Sequence, residues 1–494
     1  MRLPATQRGA PASAAEAAGF GLSAGLLEMR PKAIWQAFRA EHAAFIAITL
    51  YLMLEYVKPE QAYPIFGILP FLRIAWMVAL FAAFADKQAR ISSAPFNWLL
   101  PLFLLHCLIS AFLAYRSDYS FDKFSIIALW VLMYFLISAI VTTERRLYLF
   151  LIAYLLSNFK MSQFGFFTWA KRGFGFASWG LTGAGWFHNS GELGLEMSMF
   201  FAYTLCLALF LRHHWTGWRK WVMYFMPFTA AACVIASSSR GAIVGSVAVL
   251  FYLSLFSRRK IRAWLSSVLV VGLAYFVMPP QFLARFQTAG QDATSLSRIF
   301  YWSKAKEMMR THPWFGVGYY NWIPYYKDHY FDPTLYWRVE EAHNTFWQMG
   351  AELGYTGLGL FIIMIVVSFF MNWKSERACR RPGFEFLRAF AMGMNAAGIG
   401  LVFASMFLTS FFMPNYWIHF ALTVALQNVI RRKIAVTAAA AAAADRAAEA
   451  EADPLADPGA AGPPTPAGYP GRPANPNYPS YPSYPGFPRS HGNR

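Results

Sequence analysis

Charge is scarce in this chain. Only 14% of its 494 residues are Asp, Glu, Lys or Arg, while 57% are hydrophobic. That balance excludes an ordinary soluble globular protein and fits a polytopic membrane protein. Acidic residues are the scarcest, with 25 Asp and Glu against 43 Lys and Arg, for a net charge of +18. The basic residues sit in short clusters between apolar runs instead of forming one patch. That is a membrane-topology pattern, and it excludes nucleic acid as a partner. Cysteine is rare too. Cys107, Cys206, Cys233 and Cys379 show neither paired nor ligand-like spacing, so neither a disulfide framework nor a zinc site is expected. The chain has no P-loop, no GxGxxG opening a helix, no HExxH, and no DxD in an outer loop. No nucleotide, metal or cofactor is therefore expected. The first forty residues lack the apolar core of a cleaved signal peptide, so the first membrane helix is expected to direct insertion.

What is present is a series of about twelve apolar segments, most near the roughly twenty residues that a spanning helix needs. The expected fold is all-α, a polytopic membrane protein of about 12 transmembrane helices with one large outer loop. Basic clusters such as Arg145/Arg146, Arg258/Arg259/Lys260/Arg262 and Arg431/Arg432/Lys433 occupy every second loop. They put those loops and the N-terminus in the cytoplasm. The expected divisions are 1–41, a cytoplasmic lead; 42–278, helices one to nine; 279–342, the large loop; and 343–433, the last three helices. Residues 434–494 form an Ala/Pro/Tyr-rich cytoplasmic tail; its run Ala438–Ala444 and the Ala/Glu/Asp residues after it can extend the last helix, and the composition from Pro454 onward predicts disorder.

The outer loops carry the polar residues that an apolar scaffold does not explain. Arg240 follows three serines in SSSRGAIVGS. An arginine at the edge of hydrocarbon either snorkels to water or binds an anion, and positive charge is normally depleted on the outer side. Ser239 adds a hydroxyl beside it. Arg298 opens RIFYWSKAKEMMRT, where helical spacing puts it on one side with Trp302, Ala305 and Met309. It is expected against the membrane domain, with Ser295 or Ser297 placed to cap the helix. The bland alternative is an amphipathic helix lying at the interface.

His343 is expected to open the next helix, HNTFWQMGAELGYTGLG, beside Asn344. Trp347, Gly350, Gly354 and Gly357 follow on its face, and the glycines permit close packing. Glu352 falls on the opposite face, so Glu340 is the better partner for the imidazole. A lone histidine is usually structural; at the mouth of a membrane domain it can act as a general base. In WFHNSGELGLEMS, Asn189 can cap a helix while Glu192 and Glu196 stack one turn apart. The aromatic residues Trp314, Tyr319, Tyr320, Trp322, Tyr325 and Tyr326 suit both the bilayer interface and sugar stacking.

The motifs SSSRGA (237–242), SRIFYW (297–302), HPWFGVGYYNW (312–322) and HNTFWQMGAELGYTGLG (343–359), in this order around a large outer loop, resemble the O-antigen ligase/polymerase superfamily. The resemblance covers roughly 185–430, and HNSGE (188–192) is not part of its pattern. It implies a C-type glycosyltransferase fold in the bacterial inner membrane with the active site facing the periplasm. It also implies metal-independent transfer of a glycan from undecaprenyl pyrophosphate to a hydroxyl acceptor on a glycan, a lipid or a protein. By position, Arg240 and Arg298 resemble the arginines that hold the pyrophosphate. His343 resembles the residue that positions or deprotonates the acceptor, and Asn344, Glu340, Asn189, Glu192, Ser239 and Trp302 are expected to line the substrates. A polymerase of the same superfamily is the nearest rival. A transporter is the rival of another class, but no internal repeat is evident and the polar residues gather at one surface.

Overall fold

The structure is a computed structural model that describes residues 21–452 apart from 176–179, 258, 279–282, 284–286, 289 and 335–338. Helices form where the apolar periodicity places them, and no strand occurs among the described residues. In chain order they are α1 (Pro31–Arg39), α2 (Ala43–Val57), α3 (Phe71–Ala85), α4 (Phe96–Phe112) and α5 (Ser117–Ile140). Next come α6 (Glu144–Lys171), α7 (Ser190–Leu211), α8 (Trp218–Ala236), α9 (Arg240–Phe256) and α10 (Lys260–Val277). The large loop contributes α11 (Ala293–Thr311) and α12 (Trp322–His329), before α13 (Thr345–Ala378), α14 (Glu385–Ser405) and α15 (Pro414–Ala452).

Among the described residues, four stretches are long and apolar enough to cross a membrane: Ser117–Ile140, Ser190–His214, Thr345–Ala378 and Glu385–Ser405. The other expected spans are helices as well, but α3, α4 and α9 are shorter, at 15, 17 and 17 residues. At 1.5 Å per residue such helices reach about 25 Å, a little under the ~30 Å hydrocarbon core.

α7 and α14 make the centre. Both bury residues on every face, as a helix apolar all round must. The carboxylate of Glu196, enclosed there, is paired on both oxygens. Tyr154 donates to Glu196 Oε1 at 2.5 Å, and Asn415 Nδ2 donates to Glu196 Oε2 at 2.6 Å. The basic clusters that mark topology also hold helix ends together. Arg146 reaches Glu41 at 2.7 Å and Asp86 at 2.6 Å, and Lys433 reaches Glu144 at 2.7 Å.

Both ends of the chain carry helix outside the expected spans. Part of the N-terminal lead is helical, in α1, and 1–20 lie outside the described residues. The tail continues α15 through 452, because its alanine run has the highest helix propensity. Residues 453–494, with the Tyr/Pro repeat, lie outside the described residues.

Candidate active site

Three helix starts converge on the turn between α14 and α15. Ser239 caps α9 by accepting from the Ala242 N–H at 3.3 Å. Asn189 caps α7, its side chain accepting from the Gly191 N–H at 2.8 Å while its own N–H donates to Glu192 at 2.9 Å. Asn344 caps α13, accepting from the Phe346 and Trp347 N–H groups at 3.0 and 3.1 Å. Each start touches the turn. Asn344 Nδ2 donates to the Met406 carbonyl at 2.8 Å. A β-carbon on Gly241 would come 2.7 Å from Phe407 Cβ, and one on Gly191 would come 3.3 Å from Leu408 and 3.9 Å from Ser239 Oγ. Helix starts carry unsatisfied N–H groups and a positive dipole end, so together they favour an anion.

Arg240 is the first residue of α9. Its Nη1 donates to Asp292 Oδ2 at 3.0 Å and its Nη2 to the Ser295 hydroxyl at 3.2 Å. Burial draws the Asp292 carboxyl upward, but the Arg240 guanidinium and the Ser295 hydrogen bonds outweigh it and hold the group down at about 2. Asp292, and neither Ser295 nor Ser297, caps α11, accepting from the Ser295 N–H at 3.0 Å. The expected serine caps give way because α11 begins earlier, at Ala293, and a carboxylate accepts more strongly than a hydroxyl.

Arg298 lies one turn beyond Ser295 on α11 and is half-buried. The face it was assigned to is the packed one, since Ala305 and Met309 are buried. One turn further, Trp302 Nε1 donates to the Ala342 carbonyl at 2.9 Å. Ala342 precedes His343. A single helix, α11, thus joins the Arg240 contact, Arg298 and the backbone beside His343 along about 10 Å of its length.

His343 does not open α13. The helix starts at Thr345 behind the Asn344 cap, and His343 sits outside it with a φ of 50°. The helix does not reach back to Glu340 either, yet His343 Nε2 lies 3.5 Å from Glu340 Oε2. On the opposite flank, His188 Nδ1 lies 3.5 Å from Glu192 Oε2. Glu341 stands between these groups. Burial and then the Glu192 charge push its carboxyl up to about 7, with the Thr409 hydroxyl and His188 pulling the other way. Glu341 was not among the sequence candidates; its neighbour Glu340 was, and only the fold brings Glu341 to Glu192.

Glu352, set aside in the sequence for facing away from His343, supports the site from below. Its carboxylate accepts from the Tyr320 N–H at 3.1 Å, the Trp322 N–H at 3.2 Å and Gln348 Nε2 at 3.1 Å. The Gly-x-Gly turn lies along the same stretch of α13. Val317 N donates to the Ala351 carbonyl at 2.9 Å, and Gly318 N to the Glu352 carbonyl at 3.1 Å. Gly354 has a φ of 70°, so α13 kinks there and does not continue the glycine face expected of it. The signal available in the sequence was a glutamate four residues after a glutamine inside an apolar run. Of the aromatic residues expected to stack on sugar, Tyr319, Trp322 and Tyr326 are buried, while Trp314 is exposed. All four cysteines are buried and free.

This arrangement of the large loop on α9 and α13 falls inside a recognised domain. Residues 225–362 match the family described as O-antigen ligase. Over that stretch the chain is similar to the O-antigen ligase superfamily. The match includes Ser239, Arg240, Arg298, Trp302, Glu340, His343 and Asn344, and it leaves out Asn189 and Glu192. No curated protein matches the chain. The superfamily match and the four long apolar helices support a membrane protein with an O-antigen ligase/polymerase-type function.

Proposed function

We propose that this protein, through its O-antigen ligase-like region, transfers a glycan from undecaprenyl pyrophosphate to a hydroxyl acceptor at the periplasmic face of the inner membrane. The observation that carries the reading is α11, which ties Arg240 to its first turn, bears Arg298 on the next and meets the backbone beside His343. In this reading the sugar–phosphate bond breaks with its electron pair leaving on the pyrophosphate. The guanidinium groups of Arg240 and Arg298 offset the developing charge through forked hydrogen bonds. The acceptor oxygen bonds to the anomeric carbon, and its proton passes to His343, which Glu340 orients. Trp302 and Asn344 fix the backbone on either side of His343, and Ser239, Asn189 and Glu192 shape the neighbouring floor. The leaving-group charge is met by arginine, so the transfer is metal-independent.

The test is donor binding and single-turnover transfer on purified variants. Arg240→Ala and Arg298→Ala are expected to weaken donor binding by about 1.5–3 kcal/mol each, the worth of a charged hydrogen bond. His343→Ala is expected to slow transfer by about 10²–10⁴-fold with donor affinity nearly unchanged. Transfer by the unsubstituted protein should persist in EDTA. Normal donor affinity in both arginine variants removes the pyrophosphate role, and loss of activity in EDTA with recovery on added magnesium overturns the arginine-only mechanism.

A further inference from the structure

α6 carries a charge where its apolar run gives no reason for one. Lys160 is exposed, and it makes no ion pair or hydrogen bond among the described residues. It lies sixteen residues after Glu144, the first of the helix. That puts it about 24 Å along α6, in the outer part of a ~30 Å hydrocarbon core if the helix starts at the cytoplasmic edge. A cationic side chain at that depth is costly, so it marks a partner or a function.

Lys160 lines a cavity of about 460 Å³ between α2, α6 and the loop before α7. The walls are mixed. Tyr56, Val57, Phe164 and Leu193 form an apolar side, while Lys58, Gln61 and the backbone of Thr182, Gly183 and Ala184 form the rim. Lys58 is already engaged, its Nζ lying 3.3 Å from Glu55 Oε1. Gln61 is too, accepting from the Gly185 N–H at 2.8 Å. The rim is therefore braced by its own contacts, and the ammonium of Lys160 is the charge left to face an occupant. Leu193, on the cavity wall, follows Glu192 of the candidate active site.

We infer that this cavity binds a lipid phosphate, with Lys160 as the phosphate contact and the Tyr56, Phe164 and Leu193 wall taking the chain. An acyl or prenyl chain matches that wall, and a phosphate matches a single unbalanced cation whose flexible stem reaches from the outer hydrocarbon toward the headgroups. The site is separate from Arg240 and Arg298. The inference rests on the membrane orientation of the proposed function.

The experiment uses the full chain in zwitterionic nanodiscs with a photoactivatable polyprenyl phosphate or a photoactivatable phosphatidylglycerol. Each probe should label the α6 segment around Lys160. Lys160→Met and Lys160→Gln should lower labelling about ten-fold or more through loss of one charge-assisted hydrogen bond. Lys160→Arg should restore it. Polyprenyl phosphate labelling that excess phosphatidylglycerol displaces assigns the site to membrane lipid, and resistance to displacement assigns it to a lipid-linked substrate. Equal labelling in the unsubstituted protein and both neutral variants overturns the inference. Arg298→Ala should leave labelling intact while reducing transfer. Full transfer by Arg298→Ala would count against the proposed mechanism without touching the lipid site.

Discussion

Arg298 and Glu341 show how position decides what a charge can do. Arginine presents a planar fork that matches two phosphate oxygens, whereas lysine presents a point charge. Arg298→Lys is therefore expected to keep the net charge and still lose most of the transfer rate, measured as kcat/KM on a lipid-linked donor. Activity equal to that of the unsubstituted protein would mean that charge alone suffices. Glu341 tests the electrostatics of the floor. Its folded-state value of about 7 lies above the ordinary 4.5. The folded chain thus holds a proton that the unfolded chain releases. The stability this contributes is complete below about pH 4.5 and is lost as pH rises through about 7. Thermal unfolding at pH 5 and pH 8 should show a larger loss for the unsubstituted protein than for Glu341→Gln, and equal losses would remove the assignment. Asp292 behaves in the opposite sense. Its contribution is present above 3.8 and is lost as pH falls toward about 2. Between pH 5 and 8 the Arg240–Asp292 contact stays constant, and the difference between the unsubstituted protein and Glu341→Gln reads Glu341 apart from the other buried carboxylates.

At the scale of the element, the kink in α13 makes a site out of a membrane helix. The Gly-x-Gly turn lies against the interrupted backbone, and Glu352 receives two N–H groups from the segment that follows it. At Gly354 a β-carbon would stand 2.6 Å from the Pro313 carbonyl oxygen, in a backbone conformation that side chains rarely adopt. Gly354→Ala is expected to cost about 1–3 kcal/mol or more in backbone strain and to loosen the loop. Gly359, one turn further on, has open space around its missing side chain. Gly359→Ala should leave stability unchanged or slightly raised. Chemical denaturation of the two variants decides it, and equal stability would show that the loop does not depend on the kink. The cap is the second device here. Asn344 holds the start of α13 and the turn before α15 with one side chain, which leaves His343 outside the helix in left-handed backbone.

For the whole molecule, the charges divide between two sets of helix ends. Arg146, Lys433 and their carboxylate partners close one set of helix ends with buried ion pairs. Arg240, Arg298 and His343 stand on helix starts and loops of the other set. A periplasmic large loop predicts that Gln291→Cys reacts with a membrane-impermeant thiol reagent in cells whose outer membrane alone is permeabilised. The four native cysteines are buried, which keeps the background low. Labelling only after inner-membrane lysis would reverse the orientation.

The apolar periodicity was enough to place the helices, because a backbone surrounded by hydrocarbon must satisfy its own hydrogen bonds and each apolar run therefore becomes a helix. The same reasoning located Arg240, Arg298 and His343 as polar residues that the scaffold did not need. It also put Arg298 on the packed face of α11, since that face depends only on neighbours within one helix. Contacts between distant segments were not available to such reasoning. The kink at Gly354, the docking of Tyr320 and Trp322 on Glu352, the approach of Glu341 to Glu192 and the cavity beside Lys160 each join residues from separate parts of the chain. Their energies depend on distance and burial. Only the packed bundle supplies those, and so only the tertiary structure decided which of the polar residues stand together.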